Sequence, residues 1–160
     1  MMRLLGPDDK EELRRGFEAL SIRTRRLRFL TLQSRLTESQ LIYLTHMDNK
    51  NHLALGAFDT SDGEQKGIGV ARYVRMSEEP DIAEFAVTVL DAYQGRGVGR
   101  LLCELLIEAA RENGIKTFRG YIAQENAFLV ELLEQLGARS TIEESQLMRV
   151  DLDLPPAAAS

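Results

Sequence analysis

The sequence contains a single cysteine, Cys103, so it holds no intramolecular disulfide framework and a cysteine-built metal site is not expected. Its two histidines, His46 and His52, do not stand at the spacing of a helical HExxH site, and no bound metal is expected. No apolar run approaches the ~18 residues of a membrane span. The opening stretch Met1-Met2-Arg3-Leu4-Leu5-Gly6-Pro7-Asp8-Asp9 turns acidic before a signal-peptide core can form. A cytoplasmic protein that does not engage a membrane is the expectation. Positive charge is also short: the net charge is -5, whereas nucleic-acid-binding domains carry a basic footprint. A cationic partner suits such a chain better than a nucleic acid. The one basic run, Arg23-Thr24-Arg25-Arg26-Leu27-Arg28, reads as a solvated helix face.

What is present is the balance of a folded protein. Of 160 residues, 44% are hydrophobic and 28% charged, enough for one core without staples. One domain is expected over 1–153, followed by a disordered tail over 154–160, where Pro155, Pro156 and three alanines cluster. Strand and helix patterns alternate without repeats, which indicates a mixed α/β domain. Pro7-Asp8-Asp9 opens a helix that runs to about Leu20, with acidic residues at its positive end. Thr37 and Gln40 stand at capping-box spacing ahead of a second helix. Residues 52–58 and 68–74 read as an antiparallel pair joined by the turn-rich 59–64. Residues 82–89 form a third strand, with Phe85, Val87 and Val89 on one face and Glu84, Ala86 and Thr88 on the other. From Val98 to Ala110 apolar residues recur at helical spacing until Gly114. A strand over 117–122, a helix over 126–136 ending at Gly137, and a closing pair over 139–143 and 147–152 complete the order.

Between the third strand and the long helix lies Gln94-Gly95-Arg96-Gly97-Val98-Gly99. A strand that leads through glycines into a helix N-terminus makes an anion site, because unpaired N–H groups converge where side chains are absent. The third glycine comes one residue too early for the dinucleotide fingerprint GxGxxG, and no lysine follows as a P-loop requires. A purely structural turn seldom needs three glycines, given the entropic penalty of each.

This motif resembles the coenzyme motif (Q/R)xxGx(G/A) of the GNAT superfamily of N-acetyltransferases, and the order of elements around it is similar too. The resemblance implies a GNAT fold: a mixed, mostly antiparallel sheet of about six to seven strands flanked by about four helices, with a splay between two central strands. It implies acetyl-CoA as acetyl donor, its pyrophosphate held on Gln94, Gly95, Arg96, Gly97, Val98, Gly99 and Arg100, and its pantetheine arm paired with Val87, Thr88 and Val89. The stretch from Asn126 to Gly137 resembles the family's second motif, which makes Asn126 a contact to the arm as well as a helix N-cap. Leu20-Ser21, Thr24-Arg25-Arg26, Arg28-Phe29, Leu44-Thr45, Asp48 and Ala54-Leu55 resemble the Pat-like bacterial protein lysine acetyltransferases. The stretch 84–99 is similar to the catalytic domains of the mycobacterial cyclic-nucleotide-regulated members, and the likeness covers roughly 16–138. Those relatives carry a further acyl-CoA-synthetase-like or cyclic-nucleotide domain for which this chain has no room, so such control is expected to be absent or supplied by another protein.

The chemistry implied is acetyl transfer to a primary amine, with a protein lysine favoured by the subgroup. A lysine amine with a pKa near ~10.4 is neutral in about one molecule in 10³ at pH 7, so transfer benefits from a base. The resemblance assigns that role to Glu84, for which a surface or salt-bridging glutamate is the bland alternative. Glu78, Glu79 and Asp81 flank Pro80 in an expected loop and read as solvated. Where many family members carry a tyrosine acid, this chain has Leu133, which leaves Tyr93, Tyr121 or no acid at all. Cys103 reads as a packed residue. Two other readings stay open: acetylation of a small amine such as a polyamine or amino sugar, and a catalytically silent CoA-binding regulatory protein. The chain is expected to be a monomer or a homodimer.

Overall fold

The first elements follow from capping chemistry. A computed structural model describes residues 1–21, 36–123, 126–142 and 147–155. A short strand, β1 (Met2–Leu4), and a 3-10 turn over Pro7–Asp9 lead into helix α1 (Lys10–Ala19). Asp9 is buried and accepts from Arg3 Nη2 and from the Gly6 N–H, each at 2.8 Å, which ties β1 to the start of α1. Helix α2 (Glu38–Thr45) opens on the capping box expected from its sequence: the Gln40 N–H donates to Thr37 Oγ1 at 3.1 Å, and the Thr37 N–H donates to Gln40 Oε1 at 2.8 Å. The basic run over 23–28, with the subgroup residues that it contains, lies outside the described residues.

The remaining elements are β2 (His52–Asp59), β3 (Lys66–Arg75), β4 (Ile82–Val89), a 3-10 turn over Asp91–Tyr93, α3 (Val98–Glu112), β5 (Thr117–Ala123), α4 (Ala127–Gln135), β6 (Arg139–Ile142) and β7 (Leu147–Asp153). The strands form one sheet in the order β1-β2-β3-β4-β5-β7-β6, in which β4 and β5 run parallel and every other pair is antiparallel. This is the mixed, mostly antiparallel sheet expected. Strand β1 was not legible in advance, because three residues are too few to show a period; its register against Leu55, Gly56 and Ala57 makes it a strand. At the other end, Leu154, expected in a disordered tail, is buried, and its N–H donates to the Lys116 carbonyl at 2.8 Å. Residues 156–160 lie outside the described residues.

Alternation along β3 and β4 divides the core. Ala71, Tyr73, Ala83, Phe85, Val87 and Val89 join the main cluster with Leu102, Leu106 and Ala110 of α3 and Leu129, Leu132 and Leu133 of α4. Leu102, Leu106 and Ala110 have no exposure, so α3 is anchored along its length. Gly114 and Gly137, both at positive φ, end α3 and α4 as a left-handed stop does. The opposite face of the sheet carries α1 and α2, with a smaller cluster of Leu5, Ala54 and Phe58.

On that second face Arg72 is buried, donating from Nη1 to the Leu44 carbonyl at 2.9 Å and to His52 Nε2 at 2.8 Å. A guanidinium cannot accept, so His52 accepts at Nε2 and its ring is neutral. Burial first, and then the charge of Arg72, push the His52 pKa down to about 4. Unfolded, the ring titrates near ~6.5. Between those values the unfolded chain binds the extra proton, so this contribution to stability is whole above pH ~6.5 and is lost as pH falls toward 4. Urea unfolding at a series of pH values should therefore show stability falling over that window, and His52→Gln should flatten the slope there. An unaltered slope in the variant would contradict the assignment.

Candidate active site

The site begins where two neighbouring strands separate. Strand β4 pairs with β5 at Ile82↔Thr117, Ala83↔Phe118 and Glu84↔Arg119 and at no later residue, while it stays paired with β3 as far as Val89. Strand β5 continues from Gly120 to Ala123 against β7 alone. At the fork the Phe85 ring lies against Gly120, where a Cβ would come within 2.9 Å of the ring, and it stacks on Phe118 with centroids 5.3 Å apart. No side chain but hydrogen fits at 120.

Which backbone groups face the opening follows from alternation. The Ile82 carbonyl accepts from Met76, and the Leu90 N–H donates to Ile68, so even-numbered residues of β4 bond toward β3. The N–H and C=O groups of Val87 and the N–H of Val89 then point into the gap, while the Val89 carbonyl accepts from Gln94. Val87 and Val89 stand where a ligand arm could add to β4 as a strand. Thr88 does not: its backbone is committed to Val70 of β3, which corrects the expectation that it pairs with the arm. Its side chain lies on the α1 face of the sheet.

The glycine turn closes the wide end of the fork. Gly95 and Gly97 have φ of 76° and 84°, a region that L-residues enter at about 1–2 kcal/mol. Gly97 is the N-cap of α3, and the Leu101 N–H makes the first helical bond to its carbonyl at 3.0 Å. The N–H groups of Val98, Gly99 and Arg100 precede that bond and have no intrahelical acceptor. They sit at the positive end of a 15-residue helix without a side-chain cap, an arrangement that accepts phosphate. Gly99 is buried, and a Cβ there would meet the Phe128 ring at 2.9 Å, so this glycine lets α4 close on α3.

The other predicted contacts divide. Gln94 turns back, its Nε2 donating to the Val89 carbonyl at 3.0 Å, and so fixes the turn to the end of β4. Arg96 lies over the Tyr93 ring at 5.3 Å, and Tyr93 donates to Asp59 at 2.6 Å. That bond, with those from Ser61, holds the Asp59 carboxyl down at about 2. Arg100 is engaged with Glu104 and Gln135 at 3.1 Å each, which draws its guanidinium toward α4. Asn126 caps α4 by accepting from the Leu129 N–H at 3.3 Å and follows directly on the open end of β5.

At the narrow end stands Glu84, exposed, on the face that carries α1 and α2. Its side chain makes no hydrogen bond or ion pair among the described residues. Of the neighbouring carboxylates, Asp151 holds Arg119 at 2.9 Å and Arg149 at 2.9 Å, Glu79 lies 3.8 Å from Arg119, and Asp81 lies 3.7 Å from Lys116, while Glu78 is exposed on the loop before β4. Burial raises the Asp151 pKa, but its bonds to Arg119 and Arg149 outweigh burial and leave it lowered. Leu133 is packed in the core. Tyr93 spends its proton on Asp59 at the far end of the fork, whereas Tyr121 is half exposed on β5. Burial lifts the Cys103 thiol to about 12, which makes it inert as a nucleophile. Among the described residues no group of three or more His, Cys, Asp or Glu side chains is placed to hold a metal, and no helix is long and apolar enough to cross a membrane.

Known proteins share this arrangement. The sequence model of the acetyltransferase (GNAT) family matches residues 19–138. An acetyltransferase of Pseudomonas aeruginosa is 33% identical over 137 residues, which cover 86% of this chain and 73% of that protein. Acetyltransferase Pat of Mycolicibacterium smegmatis is 31% identical over 150 residues, and the match spans 44% of its length. The crystal structure of the GNAT domain of S. lividans PAT superposes with a TM-score of 0.88 at 29% identity, covering 96% of this chain and 89% of that one.

The glycine geometry is open to test by equilibrium unfolding. Gly97→Ala should destabilise the protein by about 1–2 kcal/mol, because its φ is left-handed. Gly16→Ala, inside α1 with nothing within 4 Å of the added carbon, should stabilise it by about 0.5–1 kcal/mol. Changes of the same sign at both positions would contradict the backbone assigned here.

Proposed function

The chain belongs to the GNAT family of acetyltransferases, and from that premise we propose that it acetylates the side-chain amine of protein lysines in the cytoplasm, with Glu84 as general base. Acetyl-CoA is the donor in this family and supplies the acyl carbon as a thioester. The residues present fit it: the glycine turn and the first N–H groups of α3 suit the pyrophosphate, and Val87 and Val89 offer backbone groups along the gap to the pantetheine arm. Arg96 lies beside the turn and adds charge to the phosphate end, while Asn126 borders the arm across the fork.

The observation that carries the catalytic assignment is the position of Glu84. It is the last β4 residue paired to β5, so its side chain leaves the sheet at the apex of the fork, on the face away from α3. An amine reaching the thioester from that face passes this carboxylate, which has no cationic partner among the described residues and stands on the strand that borders the gap. Glu84 takes the proton as the amine nitrogen bonds to the acyl carbon. The carbon–sulfur bond breaks and CoA leaves as a thiolate, a group stable enough near its own pKa of ~8.5 to need no dedicated acid. Leu133 at the usual tyrosine position is compatible with that. The lysine acceptor is supported by the resemblance of Leu44-Thr45, Asp48 and Ala54-Leu55 to bacterial protein lysine acetyltransferases, and the net charge of -5 suits a cationic acceptor.

The test is release of CoA thiol from acetyl-CoA in the presence of lysine-containing proteins, with acetylated sites located by mass spectrometry. Glu84→Gln should lower kcat by about 10²- to 10⁴-fold and leave KM for acetyl-CoA within about twofold, since Glu84 lies outside the donor contacts. Unchanged turnover and pH profile in the variant would remove Glu84 from the mechanism. Acetylation of small amines alone would move the acceptor to that class.

A further inference from the structure

Acetyl transfer as described leaves one ion-pair network beside the site without a task. Glu84 of β4 and Arg119 of β5 are register partners in the parallel pair, so their side chains leave the same face of the sheet from strands about 4.8 Å apart. Across that spacing an arginine, charged at every working pH, can reach a neighbouring carboxylate. It does not do so here. Arg119 turns to its other side, where β5 pairs with β7, and its Nε donates to Asp151 Oδ1 at 2.9 Å. Asp151 gives its second oxygen to Arg149, whose Nε donates to Oδ2 at 3.0 Å. The side chains of Arg119 and Asp151 are 13% and 14% exposed, against 56% for Glu79, which stands 3.8 Å from Arg119 and beyond hydrogen-bonding distance. Asp151 is therefore the group that fixes the guanidinium, because a charge-assisted bond shielded from water outweighs a solvated ion pair.

The other groups around Glu84 do not compete for it. On β3 the same face carries Val74, opposite Glu84, and Arg72, whose guanidinium is bound to the Leu44 carbonyl and to His52. Glu78 and Glu79 of the preceding loop and Tyr121 of β5 carry no positive charge, and Arg149 lies one strand further away on β7. We propose that Asp151 is a positioning residue for the transfer: it holds Arg119 away from Glu84 and so leaves that carboxylate free to accept the proton of the incoming amine. Without Asp151, the Arg119 guanidinium, which cannot shed its charge, turns to Glu84 as the carboxylate in register with it. A carboxylate tied to a guanidinium is a weaker base and gives up an ion pair when it takes a proton. This inference rests on the assignment of Glu84 as base made above.

Three variants test it: Glu84→Gln, Asp151→Asn, and Asp151→Asn combined with Arg119→Gln. For each, kcat, KM and the pH profile are measured for acetyl transfer to one lysine-containing protein. Asp151→Asn should lower kcat by about tenfold or more, a part of what a general base contributes, and leave KM for acetyl-CoA within about twofold. The acid limb of the profile, identified as the limb that Glu84→Gln abolishes, should move about one to three pH units lower in Asp151→Asn, as a carboxylate beside an arginine does. The double variant removes the guanidinium as well, so it should regain kcat to within about fivefold of wild type and return the limb to its original place. If Asp151 only stabilises the fold, the double variant is no better than Asp151→Asn and the limb does not move, which would overturn the inference. The double variant also covers the case in which Asp151→Asn does not fold: a loss of about tenfold or more in its kcat contradicts the proposal on its own. If Glu84→Gln is slow while Asp151→Asn matches wild type, this inference alone fails and the base stands. If Glu84→Gln turns over as wild type does, both fall together.

Discussion

The structure depends on the parting of β4 from β5 after Glu84 and Arg119. Three parallel residue pairs hold the strands together. Phe85, seated on Phe118 and against Gly120, then occupies one side of the fork. A sheet interrupted in its middle leaves backbone donors and acceptors without strand partners, and each such group left dry costs about 1–3 kcal/mol. An extended ligand that brings its own amides can satisfy them. The donor arm is therefore expected to complete the sheet.

The other functional groups are arranged around the fork. At the wide end, Gly97 turns the chain through a left-handed conformation so that α3 starts with its N–H groups toward the opening. The turn is held from two sides, by Gln94 on the Val89 carbonyl and by Tyr93 on Asp59 of the neighbouring hairpin. Behind it α3 is fixed by Leu102, Leu106 and Ala110 in the main core, so its N-terminal N–H groups are carried on an anchored element. At the narrow end, Asp151 and Glu79 hold the Arg119 guanidinium, and Glu84 stands beside it with its carboxylate uncommitted among the described residues. The proposed function accordingly places the donor at the α3 end and the acceptor on the opposite face.

Much of this was legible in the sequence because it is local. Glycines at positive φ mark the turn, Thr37 and Gln40 mark the start of α2, and alternation over 82–89 separates the faces of β4 correctly. The long-range facts were not legible. Alternation shows which side chains share a face but not which edge of the strand meets β3, so Thr88 was expected along the arm with Val87 and Val89 although its backbone is used elsewhere. Arg100 was expected at the phosphates because of its sequence position, and its partner Gln135 lies on another helix. The fit of Gly99 to Phe128 and of Gly120 to Phe85 depends on tertiary contact, for which a single sequence carries no signal beyond the glycine itself. The role proposed for Glu84 rests on family resemblance, since the sequence separates it from Glu78 and Glu79 only by its place on a strand rather than in the loop around Pro80.

The central claim is that β4 presents Val87 and Val89, and the glycine turn presents its N–H groups, to one extended ligand. Titration of the ¹⁵N-labelled protein with CoA, followed by amide NMR, tests it most directly. The amide resonances of Val87, Val89, Val98, Gly99 and Arg100 should move together along one saturable curve, while Thr88, bonded to β3, moves least along that strand. Saturable binding that leaves the turn and the odd-numbered residues of β4 unmoved would contradict the account.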